Sequence, residues 1–343
     1  FTSHKDFTEP LGNCVEIRDS IFVQITSSLS PGGAINFKNA ELNSSFSVIQ
    51  CVFSKCNNEY FDGGAISVEA RTTKIAFTCS YDCTTPTGGQ FASFQSFDDS
   101  IGEINVTTML CPMVNKIGES VIESNLQDIR FFQNNVSSWT TEKAKATGSF
   151  EINSAKNLIL RENSFVNIHS GYILTLNPYE CNSQIERLNF VSNSASQAMI
   201  FFNGAKTITN CIFSDITTSS YGSCTSTSSQ LHFYSCVFDT KPEGTDRIDF
   251  TDCTFDTKTE TYEIGFLDTY LCHADVTATA YIYPNDDDDE SVWKNKGVIG
   301  ALSGGIIGAL ILGIVVGGLA IYFWKKKTQT SLVSKPLLSA PNS

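Results

Sequence analysis

Basic residues are scarce in this chain, with 23 Lys and Arg against 36 Asp and Glu and a formal net charge of -13. Residues 1 to 296 hold 19 of those bases and all 36 acids, so that part carries 19 − 36 = −17, and the remainder carries +4. A chain so acidic is not built to meet a phosphate backbone, and nucleic acid is excluded as a partner. Histidine is scarcer still, at four positions (His4, His169, His232, His273) far apart in sequence, and zinc would need His or Cys pairs at tight spacing. No G-x-S-x-G occurs, no Cys has a His in an interpretable context, and no phosphate-binding Gly loop opens a helix. Sustained helical periodicity is missing. The chain begins at Phe1 with neither Met nor an apolar leader and is read as a mature or truncated form.

Long hydrophobic runs are also missing, with one exception. Residues 297 to 324 are 28 consecutive uncharged residues, GVIGALSGGIIGALILGIVVGGLAIYFW, where about 20 suffice to cross a bilayer. Tyr322, Phe323 and Trp324 sit at an expected interface, and Lys325, Lys326 and Lys327 follow at once, with Lys335 beyond. These bases favour a cytoplasmic C-terminus, hence a single-pass type I protein of the plasma membrane with an extracellular ectodomain. The boundaries expected are 1–280 ectodomain, 281–296 acidic juxtamembrane stalk, 297–324 transmembrane helix and 325–343 cytoplasmic tail. Asp286 to Glu290 form the charged stalk, a solvated run rather than a calcium site. Small residues every fourth position (Gly297, Ala301, Gly305, Ala309, Gly313, Gly317) offer a face for self-association of the span. The tail is too short for a catalytic domain. Ser331, Ser334 and Leu337-Leu338 are its only trafficking-like residues, and the acid expected upstream of a dileucine signal is missing.

All 12 cysteines precede the apolar span, which suits an oxidising compartment. Sequons at Asn43, Asn105 and Asn135 are candidate glycosylation sites in that compartment. Cys79 and Cys83 flank a turn and are the candidate local disulfide.

Between clusters of Ser, Asn, Gly and Thr, short runs of Ile, Val, Phe and Thr alternate as strands do. A phrase centred on Phe recurs: SIFVQI (Phe22), CVFSKC (Phe53), IAFTCS (Phe77), RFFQNN (Phe132), NSFVNI (Phe165), LNFVSN (Phe190), CIFSDI (Phe213), CVFDTK (Phe238) and CTFDTK (Phe255). Most steps are 23 to 33 residues, and the step of 55 spans two units, with INVTTML (Ile104–Leu110) filling the gap. A period of this size marks stacked units, each too small to bury its own apolar face. Leucine-rich repeats share the period but need a Leu spacing absent here. The pattern predicts an all-β, single-stranded parallel β-helix whose nine Phe form the repeat core. Cys51, Cys211, Cys236 and Cys253 then share one interior position, either as disulfide partners between coils or as a stack of buried thiols. Gly pairs at Gly32-Gly33, Gly63-Gly64 and Gly88-Gly89 follow Phe22, Phe53 and Phe77 at offsets of 10, 10 and 11 residues, in phase with the phrase.

GGAI linked to F-x-x-N, with Cys56, Asn135 and Asn193 three residues after a Phe, resembles the polymorphic outer-membrane-protein repeats of bacterial autotransporter passengers and parasitic-protist surface proteins. The resemblance covers roughly residues 15 to 260 and is clearest in the first three coils. The double Gly disappears after residue 110. In place of the bacterial C-terminal β-barrel the chain has the helix and lysines, as the protist type does. The resemblance implies a right-handed β-helix on the cell surface, adhering to a glycan or protein of host or neighbouring cells. No cofactor is expected. Right-handed β-helices also host pectin lyases and polysaccharide hydrolases, the alternative reading. The acids available in the repeats for such chemistry are Asp98 with Asp99, and Asp246 and Asp249 around Arg247. They read as turn acids and surface ion pairs rather than catalysts, and the expectation is a binding protein, not an enzyme.

Overall fold

The computed structural model describes residues 5–8, 14–39, 41, 43–95, 99–110, 118–141, 146–242, 247–258 and 260–262. They belong to one compact unit, Phe1–Thr279. Every pairing among them is parallel, and they contain strands but no helix. Among the described residues there are three long sheets, and eight successive turns of chain give a strand to each. The chain is a parallel β-solenoid.

One turn shows how the sequence builds it. Ser45–Ile49 enters the first sheet, Val52–Ser54 the second and Ile66–Glu69 the third. Inward and outward side chains alternate along Ser45–Ile49, where Phe46 and Val48 are fully buried between half-buried neighbours. Between the first two sheets stands one residue in the left-handed region, at φ between 48° and 56°: Asp19, Gln50, Phe77, Val106, Gln133, Glu162, Arg187, Asn210, Ser235 and Asp252. Such a φ costs a non-glycine residue about 1–2 kcal/mol. The cost is offset because the ladder continues through the corner. Gln50 N donates to Ala76 O at 3.0 Å, and Val106 N donates to Phe132 O at 3.0 Å.

The next residue points inward and closes the corner. In turn order it is Ser20, Cys51, Thr78, Thr107, Asn134, Asn163, Leu188, Cys211, Cys236 and Cys253. Each polar member bonds backbone that the corner leaves open. Asn163 Nδ2 donates to Phe131 O at 2.8 Å, and its Oδ1 accepts from Asn134 N at 3.0 Å. Thr78 Oγ1 donates to Ala76 O at 2.9 Å. The cysteines do the same as thiols: Cys51 Sγ donates to Ile49 O at 3.3 Å and Cys211 Sγ to Thr209 O at 3.3 Å. Burial pushes the Cys51 thiol up to about 11 and Cys211 up as well, so both stay protonated near neutrality.

Two residues after the corner comes the aromatic ladder. Phe22, Phe53, Ser80, Met109, Val136, Phe165, Phe190, Phe213 and Phe238 are successive partners in register, and Phe255 follows through the bridge Val237 to Thr254. Neighbouring rings stack at 4.7 Å and 2° (Phe22 and Phe53), 4.7 Å and 3° (Phe190 and Phe213) and 4.7 Å and 4° (Phe213 and Phe238). Two expected members are not on it. Phe77 is the half-buried left-handed corner residue, and Ser80 takes the rung. Phe132 ends a first-sheet strand in register with Asn105 and Arg161, and Val136 takes the rung. The ladder is set by distance from the corner residue, so a Phe outside that offset faces elsewhere. Met109 supplies the rung predicted inside the step of 55.

The Gly pairs mark a close approach between coils. A Cβ on Gly33 would lie 2.0 Å from Gly64 O, and one on Gly64 would lie 2.2 Å from Gln90 O. Cys79 and Cys83 do not pair. Cys83 is a thiol that points inward and donates to Phe53 O and Tyr81 O at 3.7 Å each, while Cys79 precedes inward Ser80 and faces the other side of its strand. The acidic stalk, the apolar span 297–324 and the basic tail lie outside the described residues. Among the described residues no helix is long and apolar enough to cross a membrane.

Candidate functional site on the outer face of the third sheet

Outward positions of the third sheet form two parallel columns. One runs Asn36, Ser67, Ser93, Glu123, Glu151 and Thr175. The other holds Lys38, Glu69 and Gln95 and continues through Asn125, Asn153 and Asn177, whose backbone N–H groups donate to Phe94 O, Ser124 O and Ile152 O of the preceding rung. Strands stack about 4.8 Å apart, so like groups meet from rung to rung. Asn125 Nδ2 donates to Gln95 Oε1 at 3.3 Å, and Asn177 Nδ2 donates to Asn153 Oδ1 at 2.7 Å. Asn153 Nδ2 crosses to the first column and donates to Glu123 Oε1 at 3.3 Å. The result is a flat strip of half-buried amides and two carboxyls, in which the hydroxyls of Ser67, Ser93 and Thr175 are buried.

Glu123 and Glu151 are register partners, one rung apart. The Glu123 carboxyl lies over Gly88, where a Cβ would stand 1.9 Å from its Oε2, and Gly88 N donates to Asp62 Oδ1 at 3.2 Å. Burial, then the charges of Asp62 and Glu151, push Glu123 up to about 7. Burial also raises Glu151, against hydrogen bonds from Ser120 and Asn153 that lower it. Carboxyls this close do not both ionise easily, and near neutrality part of the pair carries a proton.

Of the acids singled out from sequence, the described ones sit elsewhere. Asp98 and Asp246 lie outside the described residues. Asp99 is an exposed turn acid at φ 60°, 3.6 Å from Arg71 Nη2 and 3.7 Å from Lys156 Nζ. Arg247 Nη1 donates to Cys224 Sγ at 3.2 Å, and no ion pair with exposed Asp249 forms. Of the sequons, Asn43 stands in an exposed turn and Asn105 is half-buried, with its Nδ2 on Glu103 Oε1 at 2.5 Å. Asn135 is 4% exposed on the second sheet, which leaves no room for a glycan there in the folded coil. Glu123 and Glu151 were missed because no local motif surrounds them. Their signal is a spacing of 28 residues, one coil, between IES and FEI at the same strand position.

A shallow depression of about 250 Å³ lies on the first sheet, lined by Asp128, Arg130, Asn157, Asn182 and Gln184, away from the carboxyl pair. Among the described residues no group of three His, Cys, Asp or Glu is placed to hold a metal ion. No protein-family model, curated protein or solved structure matches the chain.

Proposed function

We propose that the chain is a cell-surface binding protein whose solenoid adheres to a glycan or protein on host or neighbouring cells. On this reading residues 297–324 anchor it in the plasma membrane as a single-pass type I protein, and the solenoid is right-handed, as in the surface proteins it resembles. The observation that carries the reading is the strip on the third sheet. Gln95, Asn125, Asn153 and Asn177 repeat half-buried amides at rung spacing, a surface that meets an extended ligand with several hydrogen bonds and asks nothing of the core. The test is to display the full chain on cells that lack it and count attachment to target cells. Attachment should rise with display and fall when Asn125 and Asn153 are replaced by Arg. An unchanged count in both comparisons rejects the role.

One observation favours a second reading, a membrane-anchored polysaccharide lyase or hydrolase. Paired carboxyls, one held near pH 7, are the equipment of a general acid and its partner. Release of reducing or unsaturated ends from polysaccharides, abolished by Glu123→Gln, would establish it; binding without release excludes it.

A further inference from the structure

Three of the six large apolar side chains exposed among the described residues, including the two most exposed, lie on two stacked loops. Leu29 is 92% exposed in the first turn, and Tyr60 and Phe61 are 66% and 40% exposed in the second. Both loops join the second sheet to the third, and Thr26–Ser27 pairs in register with Asn57–Asn58, so they lie one rung apart. Water around such side chains is unfavourable, and a mobile loop would turn them inward. These loops are pinned. Asn58 is fully buried; its Nδ2 donates to Ser30 O at 2.7 Å, and its Oδ1 accepts from Tyr60 N at 3.1 Å and Phe61 N at 2.7 Å. Glu59 N donates to Ser27 O at 3.0 Å, Gly32 N donates to Asp62 O at 3.1 Å, and Thr85 Oγ1 donates to Phe61 O. The fold therefore spends a buried amide on holding a crest of Leu, Tyr and Phe in solvent.

Two acids, Glu59 and Asp62, directly flank Tyr60 and Phe61. In residues 24–32, 55–62 and 82–88 the only base is Lys55, and the third acid, Asp82, is buried. Asp62 leads on to Glu123, whose carboxyl it perturbs. An aromatic pair flanked on both sides by acids complements an apolar anchor flanked by cations. A sulfated or uronate glycan would meet repulsion. A neutral sugar would want amides beside its stacking ring, and these stand on the strip, not at the crest.

We propose that the Leu29, Tyr60 and Phe61 crest docks a polypeptide partner that presents apolar side chains flanked by Lys or Arg. This rests on the reading of the chain as a surface binding protein and assigns the class of its partner. The purified full chain is immobilised and offered a 20-residue peptide of alternating Leu and Arg blocks, the same peptide with Glu for Arg, and neutral and sulfated oligosaccharides. The Arg peptide should bind, and the double variant Tyr60→Ser with Phe61→Ser, which keeps every acid, should weaken it about tenfold or more. Tyr234→Ser, removing a 42% exposed aromatic outside these loops, should leave it unchanged. Equal binding by the crest variant overturns the proposal, as does crest-dependent capture of an oligosaccharide or no peptide binding at all. The thermal midpoint of the double variant should match that of the parent, since both side chains are exposed. The same variant in the cell-attachment count separates the two claims. Attachment that survives loss of the crest sinks only the docking point, whereas a chain that attaches to nothing sinks the surface role first.

Discussion

Removing one ring from the ladder should cost far more than removing a Phe beside it. Phe190 is fully buried, 5.0 Å from the Phe165 ring and 4.7 Å from the Phe213 ring. Phe190→Ala deletes the ring and leaves a cavity bounded above and below by neighbours whose spacing the strands fix, so collapse into it is restricted. Phe→Ala in a core costs about 3–5 kcal/mol, and two lost aromatic pairs at about 0.5–1.5 kcal/mol each place this site near the upper end. Phe77 is half-buried at a left-handed corner. Phe77→Ala should cost about 1 kcal/mol or less, and Phe77→Gly should offset part of that by relieving the positive φ. The assay is urea unfolding of the purified chain followed by far-ultraviolet circular dichroism, comparing midpoints at common slope. Equal losses for Phe77→Ala and Phe190→Ala, or a loss near zero at Phe190, would refute the assignment of the ladder by its offset from the corner.

Gly33→Ala should be among the most damaging single changes, at roughly 3 kcal/mol or more, because the new Cβ meets backbone of the next coil at 2.0 Å and cannot be relieved by a rotamer. Its check is loss of the folded dichroism signal at 37 °C. Asn163→Ala strands Phe131 O and Asn134 N in a buried corner and should cost about 2–4 kcal/mol by urea midpoint. Glu123 is held at about 7 in the fold against an ordinary 4.5, so the folded state binds this proton more tightly than the unfolded chain does. Its contribution is full below pH 4.5 and is lost as pH rises through 7, by at most about 3 kcal/mol. Glu123→Gln should flatten the pH dependence of the thermal midpoint between pH 4.5 and 8 and raise the midpoint at pH 8; an unchanged pH profile would show that the carboxyl is solvated.

The coil was legible because its period is written in large buried side chains. Seven of the nine Phe phrases fall on the ladder, and INVTTML holds the rung predicted between two of them. Phe77 and Phe132 were misplaced for one physical reason. Inward direction depends on the count from the left-handed corner residue, and that residue has no fixed identity: Asp, Gln, Val, Glu, Arg, Asn and Ser all serve, because the cross-coil hydrogen bond rather than the side chain holds the turn. Ser20, Thr78, Asn134 and Cys211 are equally hard to align as letters, although each supplies a side-chain bond to the corner backbone. Cys79 and Cys83 looked like a turn bridge by spacing alone, but the left-handed residue Asp82 between the strand Cys79–Tyr81 and Cys83 breaks the alternation and leaves them facing different ways. The carboxyl pair was invisible for a related reason. Glu123 and Glu151 become neighbours only once the register is known, and a window of a few residues around either shows nothing unusual.

Register is therefore the quantity to measure. Glu16, Ser47, Lys74, Glu103, Arg130, Ile159 and Gln184 are successive partners on the outer face of the first sheet, so Glu16 and Gln184 stand six rungs apart. Both are exposed. Spin labels carried on non-canonical residues at these two positions should give a single narrow distance distribution centred near 29 Å, six times the ~4.8 Å spacing of neighbouring strands. A broad distribution, or a sharp one far from that distance, would mean that the coils do not stack one per turn, and the ladder, the outer strip and the crest would all lose their basis.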